Sequence, residues 1–145
     1  MSEILIYNRR AKKQYQIIDS FEAGIVLIKN EPTYIRNGKM DITGSFARIL
    51  ANHKGSPELW LIGSKISNFE NADRSRKLLI KKREISRLIG SVQAKNYTLV
   101  PLKIYSRKGK IKIELAIAKG KHERDHREDI KKKDLEREIR REAKI

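Results

Sequence analysis

Apolar and polar residues alternate with a period of two near the end of the apolar part of the chain. Thr98, Val100, Leu102 and Ile104 alternate with Leu99, Pro101, Lys103 and Tyr105. Arg107-Lys108-Gly109 then turns the chain, and Ile111, Ile113, Leu115 and Ile117 alternate with Lys110, Lys112, Glu114 and Ala116. This pattern predicts an antiparallel hairpin with the Ile/Leu set on one face and the charged set on the other. Pro101 has no amide hydrogen and so marks an edge or a bulge. Residues 14–19 and 24–28 read as two short strands linked through 19–23. Residues 45–50 and 58–66 read as another pair, joined across the turn-rich 52–57.

The period changes at Ile85, Leu88, Ile89 and Val92, which fall at i, i+3, i+4 and i+7. That spacing predicts an amphipathic helix over 82–94, and Pro32 predicts a shorter helical turn beginning there. The sum is a mainly β chain. The expected fold is a six-stranded antiparallel OB-like barrel with short flanking helices. Past residue 118 the pattern thins out, although Leu135, Ile139 and Ala143 recur every four residues. Residues 119–145 bury too little apolar surface to offset their chain entropy. They predict a basic C-terminal tail, disordered alone and helical on a charged partner, after a body of 1–118.

Charge decides the class of partner. The 145 residues carry 34 Lys and Arg against 18 acids, a net charge of +16, with no cysteine. A surface this basic attracts polyanions and gains from counterion release, which points to nucleic acid. Residues 1–118 hold 23 basic and 10 acidic side chains, and residues 119–145 hold 11 and 8. The absence of cysteine excludes disulfides and thiolate metal sites and fits a cytoplasmic setting. No apolar run is long enough to span a bilayer, and the order of Ile4-Leu5-Ile6 before Arg9-Arg10 is not that of an export signal.

No catalytic motif is present: there is no phosphate-binding loop, nucleophile elbow or zinc-protease pair. His122 and His126 are spaced i, i+4 but lack a third ligand, so no metal and no cofactor are expected. The basic groups instead cluster beside strands and aromatics: Arg9, Arg10, Lys12 and Lys13 before Tyr15; Arg74, Arg76 and Lys77 before Leu78; and Lys110, Lys112, Lys119 and Lys121 along the last strand. Such groups track a phosphate backbone, and an exposed aromatic stacks on an unpaired base. Tyr15 is read as RNA-facing, and Tyr97 and Tyr105 as half-buried strand packing.

Six strings occur in register: Asn8-Arg9-Arg10-Ala11, Phe21-Glu22-Ala23-Gly24-Ile25, Arg74-Ser75-Arg76-Lys77-Leu78-Leu79, Lys82-Arg83-Glu84-Ile85, the whole of residues 98–105, and Ala118-Lys119-Gly120-Lys121. Together they resemble the SsrA-binding protein (small protein B) family across residues 8–133. The resemblance implies an OB-like barrel without enzymatic activity that binds the tRNA-like domain of transfer-messenger RNA and delivers it to stalled ribosomes for trans-translation. It implies a tail that occupies the small-subunit decoding centre and the empty message channel. Elongation factor Tu and alanyl-tRNA synthetase are implied as indirect partners through the RNA.

By the same resemblance Asn8, Arg9, Tyr15, Glu22, Leu79, Lys112, Lys119 and Lys121 are RNA-binding positions. Arg124, Asp125, His126, Arg127, Lys131, Lys132 and Lys133 belong to the ribosome-binding tail. For Leu79 the sequence leaves core packing equally open. The chain departs from the family pattern at 29–34, where only Glu31 of Gly-Thr-Glu-Val-Lys-Ser survives. It departs again at His126 within the tail motif, at Ser67-Asn68-Phe69, and in a shortened 68–73 loop. The alternative reading is a general basic OB-like RNA-binding or ribosomal protein.

Overall fold

A computed structural model describes residues 2–66 and 74–120. The elements run β1 (Ser2–Tyr7), α1 (Ala11–Gln14), β2 (Tyr15–Ile25), α2 (Glu31–Arg36), β3 (Met40–Asp41), β4 (Phe46–Ala51), β5 (Pro57–Ile62), β6 (Lys65–Ile66), β7 (Arg76–Leu79), α3 (Lys82–Lys95), β8 (Thr98–Arg107) and β9 (Lys110–Gly120). The predicted hairpin is β8–β9, and the predicted helix is α3, which ends where Asn96 adopts a left-handed conformation (φ 57°). The helical turn expected at Pro32 is α2, with Pro32 in its first turn.

All strand pairs are antiparallel. Strands β8, β4, β5, β7, β2 and β9 follow one another, and β9 pairs back on β8, so six strands close into a ring. β1 lies beside β8 as a seventh strand, a strand the sequence reading did not anticipate. β3 and β6 form a small separate ribbon. The core inside the ring comes from alternate residues of every wall, among them Ala23, Ala47, Leu59, Leu61, Leu78, Leu99, Ile104, Ile113 and Leu115. Ile35 of α2 and Leu88 of α3 join the same cluster.

Two expectations are corrected by β-bulges. Residues 19–23 are not a link: they continue β2, pairing Asp19 with Ile117 through to Ala23 with Ile113. The register shifts between Ile17 and Asp19, so Ile18 is the extra residue and the strand changes face there. The apolar phase breaks at that point, and Asp19-Ser20 reads as a turn. The second shift lies between Pro101 and Lys103. It divides the expected Val100, Leu102 and Ile104 face: Ile104 enters the main core, while Val100 and Leu102 join Ala11, Ala116 and Ala118 in a second cluster outside the ring. α1 covers that outer cluster through Ala11, with Tyr15 and Ile17 packed at its margin.

Candidate nucleic-acid interface

Where β2 closes the ring, Gly24 pairs with Leu79 of β7 on one side and Lys112 of β9 on the other. Lys112 in turn pairs with Tyr105 of β8. These residues make one row across the outer face. Two positions back on β2 a second row begins: Glu22 pairs with Glu114, and Glu114 with Lys103. A β-carbon at Gly24 would lie 3.4 Å from Leu79 Cβ and 3.7 Å from Lys112 Nζ, so the glycine is the floor between an apolar wall and a cationic one. A groove of about 340 Å³ opens there. Ile25, Leu27, Pro32 and Leu79 supply its apolar lining, and Arg36, Lys110 and Lys112 its charge.

Leu79 is 53 % exposed, which settles the open alternative against core packing. Arg36 reaches across the groove from α2 and donates to Gly109 O (3.1 Å) and Ser106 Oγ (3.4 Å), fastening the β8–β9 turn. Glu22 accepts a hydrogen bond from the Tyr105 hydroxyl and another from Arg107 Nη2 at 2.8 Å. Burial, and then the Glu22 carboxylate, push the Tyr105 phenol well above its ordinary pKa. Tyr105 therefore stays a donor, and its buried ring matches the packing expected of it.

The structure thus brings Glu22, Leu79 and Lys112 together. It places Tyr15 and Lys119 at the other end of the β2–β9 pair, where Tyr15 meets Gly120 and Gln16 meets Lys119, while Arg9 follows Asn8, whose amide meets Leu102 of β8. That end of the pair is roughly 25 Å away at the usual rise of a strand. Arg9 and Lys119 are both exposed. Lys119 lies in the last residues of β9, which runs to Gly120. Tyr15 is half-buried against the outer cluster, and burial raises its pKa, so it is not the free stacking platform expected of it.

Asn8 is buried (5 % exposed), with Nδ2 donating to Pro101 O at 2.8 Å and its own amide to Leu102 O at 2.8 Å. It pins the end of β1 to the β8 bulge. Lys121, Arg124, Asp125, His126, Arg127, Lys131, Lys132, Lys133 and the 68–73 loop lie outside the described residues.

The cluster of Arg74, Arg76 and Lys77 is corrected most sharply. Arg76 and Glu31 are fully buried. Glu31 Oε2 accepts from Arg76 Nη2 (2.8 Å) and Nε (3.2 Å), and Arg74 binds the same carboxylate. Arg76 Nη1 also donates to Ser64 Oγ at 3.0 Å. Burial alone would raise the Glu31 pKa. The hydrogen bonds from Arg74, the Ile28 amide and Arg76, with the Arg76 charge, outweigh it and hold the carboxyl below its ordinary range. These arginines are internal struts and not phosphate contacts. Glu31, the one residue retained from the family string at 29–34, is their partner.

Sequence reasoning also missed Arg36 and Arg107. Arg107 was visible only as part of a turn, and nothing local distinguishes Arg36. Among the described residues, no group of three or more His, Asp or Glu side chains could hold a metal ion, and no helix is long and apolar enough to cross a membrane.

Comparison with known proteins identifies the family. The family model described as SmpB protein matches residues 5–145. An SsrA-binding protein of Caldicellulosiruptor bescii is 46% identical over 149 residues, covering 98% of this chain and 91% of its own. One from Nocardia farcinica is 42% identical, covering 97% of this chain and 89% of its own. A solved structure described as "tmRNA-SmpB: a journey to the center of the bacterial ribosome" contains a chain that matches with a TM-score of 0.64. That chain is 40% identical to this one, and the match covers 94% of each. The family is one of RNA-binding proteins and not of enzymes. On a match that spans nearly its whole length, the chain belongs to the SmpB family of SsrA-binding proteins.

Proposed function

We propose that this protein binds the tRNA-like domain of transfer-messenger RNA through the outer face around Gly24 and carries it to ribosomes stalled without a stop codon. The observation that carries the reading is the row of Leu79, Gly24 and Lys112, an apolar contact and a cation on either side of a floor with no side chain. Leu79 and the groove lining meet a base or ribose, while Lys112, Lys110 and Arg36 meet phosphates. The relatives described as SsrA-binding proteins and the structural neighbour described with tmRNA support the choice of RNA.

In this reading residues 1–118 form the RNA-binding body and residues 119–145 the tail that enters the decoding centre and the empty message channel. Elongation factor Tu and alanyl-tRNA synthetase meet the protein through the shared RNA, in the cytoplasm.

The test is affinity for the tRNA-like domain transcript. Lys112→Glu places a negative charge against phosphate and lowers affinity by about 1–3 kcal/mol. Unchanged affinity at moderate salt refutes the placement. A chain ending at Lys121 keeps RNA affinity but fails to rescue stalled ribosomes. Retained rescue by that chain favours a general RNA binder instead.

A further inference from the structure

We propose that Arg107 is a phosphate-binding residue of this face, and that Glu22 serves as its positioning residue without itself contacting the RNA. The inference rests on the RNA-binding reading above and names a further residue within it.

Both oxygens of the Glu22 carboxylate are already engaged from within the protein. Oε2 accepts from the Tyr105 hydroxyl and Oε1 from Arg107 Nη2 at 2.8 Å. Tyr105 is a buried strand residue, so the carboxylate is anchored from below. The side chain of Glu22 is 29% exposed and that of Arg107 is 51% exposed, so the guanidinium is the outermost group of the chain Tyr105–Glu22–Arg107. Its other N–H groups make no hydrogen bond among the described residues and remain available.

The surroundings agree with a phosphate. Arg107 pairs across the hairpin with Lys110, and Lys112 follows on the same face of β9. A bare carboxylate in that rim would repel an RNA backbone. A carboxylate that holds an arginine still makes part of the cation's ordering happen before binding, leaving less to be lost on contact. The planar fork then meets phosphate oxygens in a fixed direction, which a mobile surface lysine does not provide.

The test uses the full chain, a transcript of the tRNA-like domain, and a poly-uridylate of equal length as an unstructured polyanion, over a salt series. Arg107→Gln lowers affinity for the tRNA-like domain about tenfold and reduces the salt slope by roughly one. Glu22→Gln weakens binding of the tRNA-like domain by a similar factor. It leaves poly-uridylate binding unchanged or stronger, because one negative charge has gone. The double variant is within twofold of Arg107→Gln alone. Arg107→Lys restores the salt slope.

Additive losses in the double variant overturn the proposal, because Glu22 then contacts RNA itself. Full affinity in Arg107→Gln overturns it as well. If Lys112→Glu lowers affinity while Arg107→Gln does not, only this inference fails. If both leave affinity intact, the reading of the whole face fails with it.

Discussion

Replacing Arg76 by Met tests whether buried charge holds the ring closed. Glu31 accepts five hydrogen bonds, from the Ile28 amide, from Arg74 Nε and Nη2, and from Arg76 Nε and Nη2. Arg76→Met removes two of them and leaves Ser64 Oγ without its 3.0 Å donor. Hydrogen bonds to charged groups contribute about 1.5–3 kcal/mol each. Breaking a buried ion pair from one side costs about 3–5 kcal/mol, since a carboxylate is left under-compensated. The two routes agree on a loss near 4 kcal/mol, a large share of a domain stability of about 5–15 kcal/mol.

Urea unfolding followed by circular dichroism reads this directly. With a slope of about 1–3 kcal/mol/M, the midpoint falls by more than 1 M. Arg74→Met costs less, because Arg74 is 23% exposed and water replaces part of what is lost. The Glu31 pKa is lowered on folding, so its stabilisation is complete above the ordinary value of 4.5 and is lost as pH falls through the folded value. The gap between wild type and Glu31→Gln therefore narrows on acidification below pH 4.5. An Arg76→Met protein within about 1 kcal/mol of wild type, or a larger loss in Arg74→Met, refutes the reasoning.

Leu79→Ala leaves the unfolding free energy measured in urea within about 0.5 kcal/mol of wild type, as expected of an exposed position, yet weakens binding to the tRNA-like domain. A matching loss of stability would show that Leu79 packs. Asn8→Ala costs about 1–2 kcal/mol through its buried bond to Pro101 O, with no change in the salt slope of RNA binding; a changed slope would return Asn8 to the interface. For Tyr105 the folded pKa is raised, so its contribution is complete below pH 10 and is lost as pH rises through the folded value. In an ultraviolet titration Tyr15 and Tyr105 both ionise late, and Tyr105→Phe removes part of that late phase.

Much of the architecture was legible because it is written in local periodicity. The hairpin of β8 and β9, the helix α3 and the paired β4 and β5 follow from patterns within a few residues. What failed was phase. Ile18 and Leu102 are the extra residues of two bulges, and each moves the following apolar residues to the opposite face. Pro101 signalled the second shift, and nothing in the Ile17-Ile18-Asp19 string signalled the first. The site was legible to the extent that Glu22, Leu79 and Lys112 were named together. Arg76 and Lys112 look alike in sequence, as cations beside strands. Their fates differ because Glu31, 45 positions from Arg76, meets one of them inside the fold.

That pairing ties stability to function through the closing strand. β7 is joined to β2 by two residue pairs, Gly24 with Leu79 and Ile25 with Leu78. Gly24 also pairs with Lys112, so the β7–β2 contact is also the one that sets the apolar and cationic walls of the groove beside each other. Arg76 opens β7, and its ion pair with Glu31 fixes that strand to the start of α2. Arg36, at the end of α2, holds the β8–β9 turn against the far wall. The buried ions and the proposed RNA face are therefore two ends of one mechanical link. A variant that loosens Glu31 or Arg76 while the chain remains folded should spread Leu79 from Lys112 and lose RNA affinity. No side chain that meets the RNA would have changed.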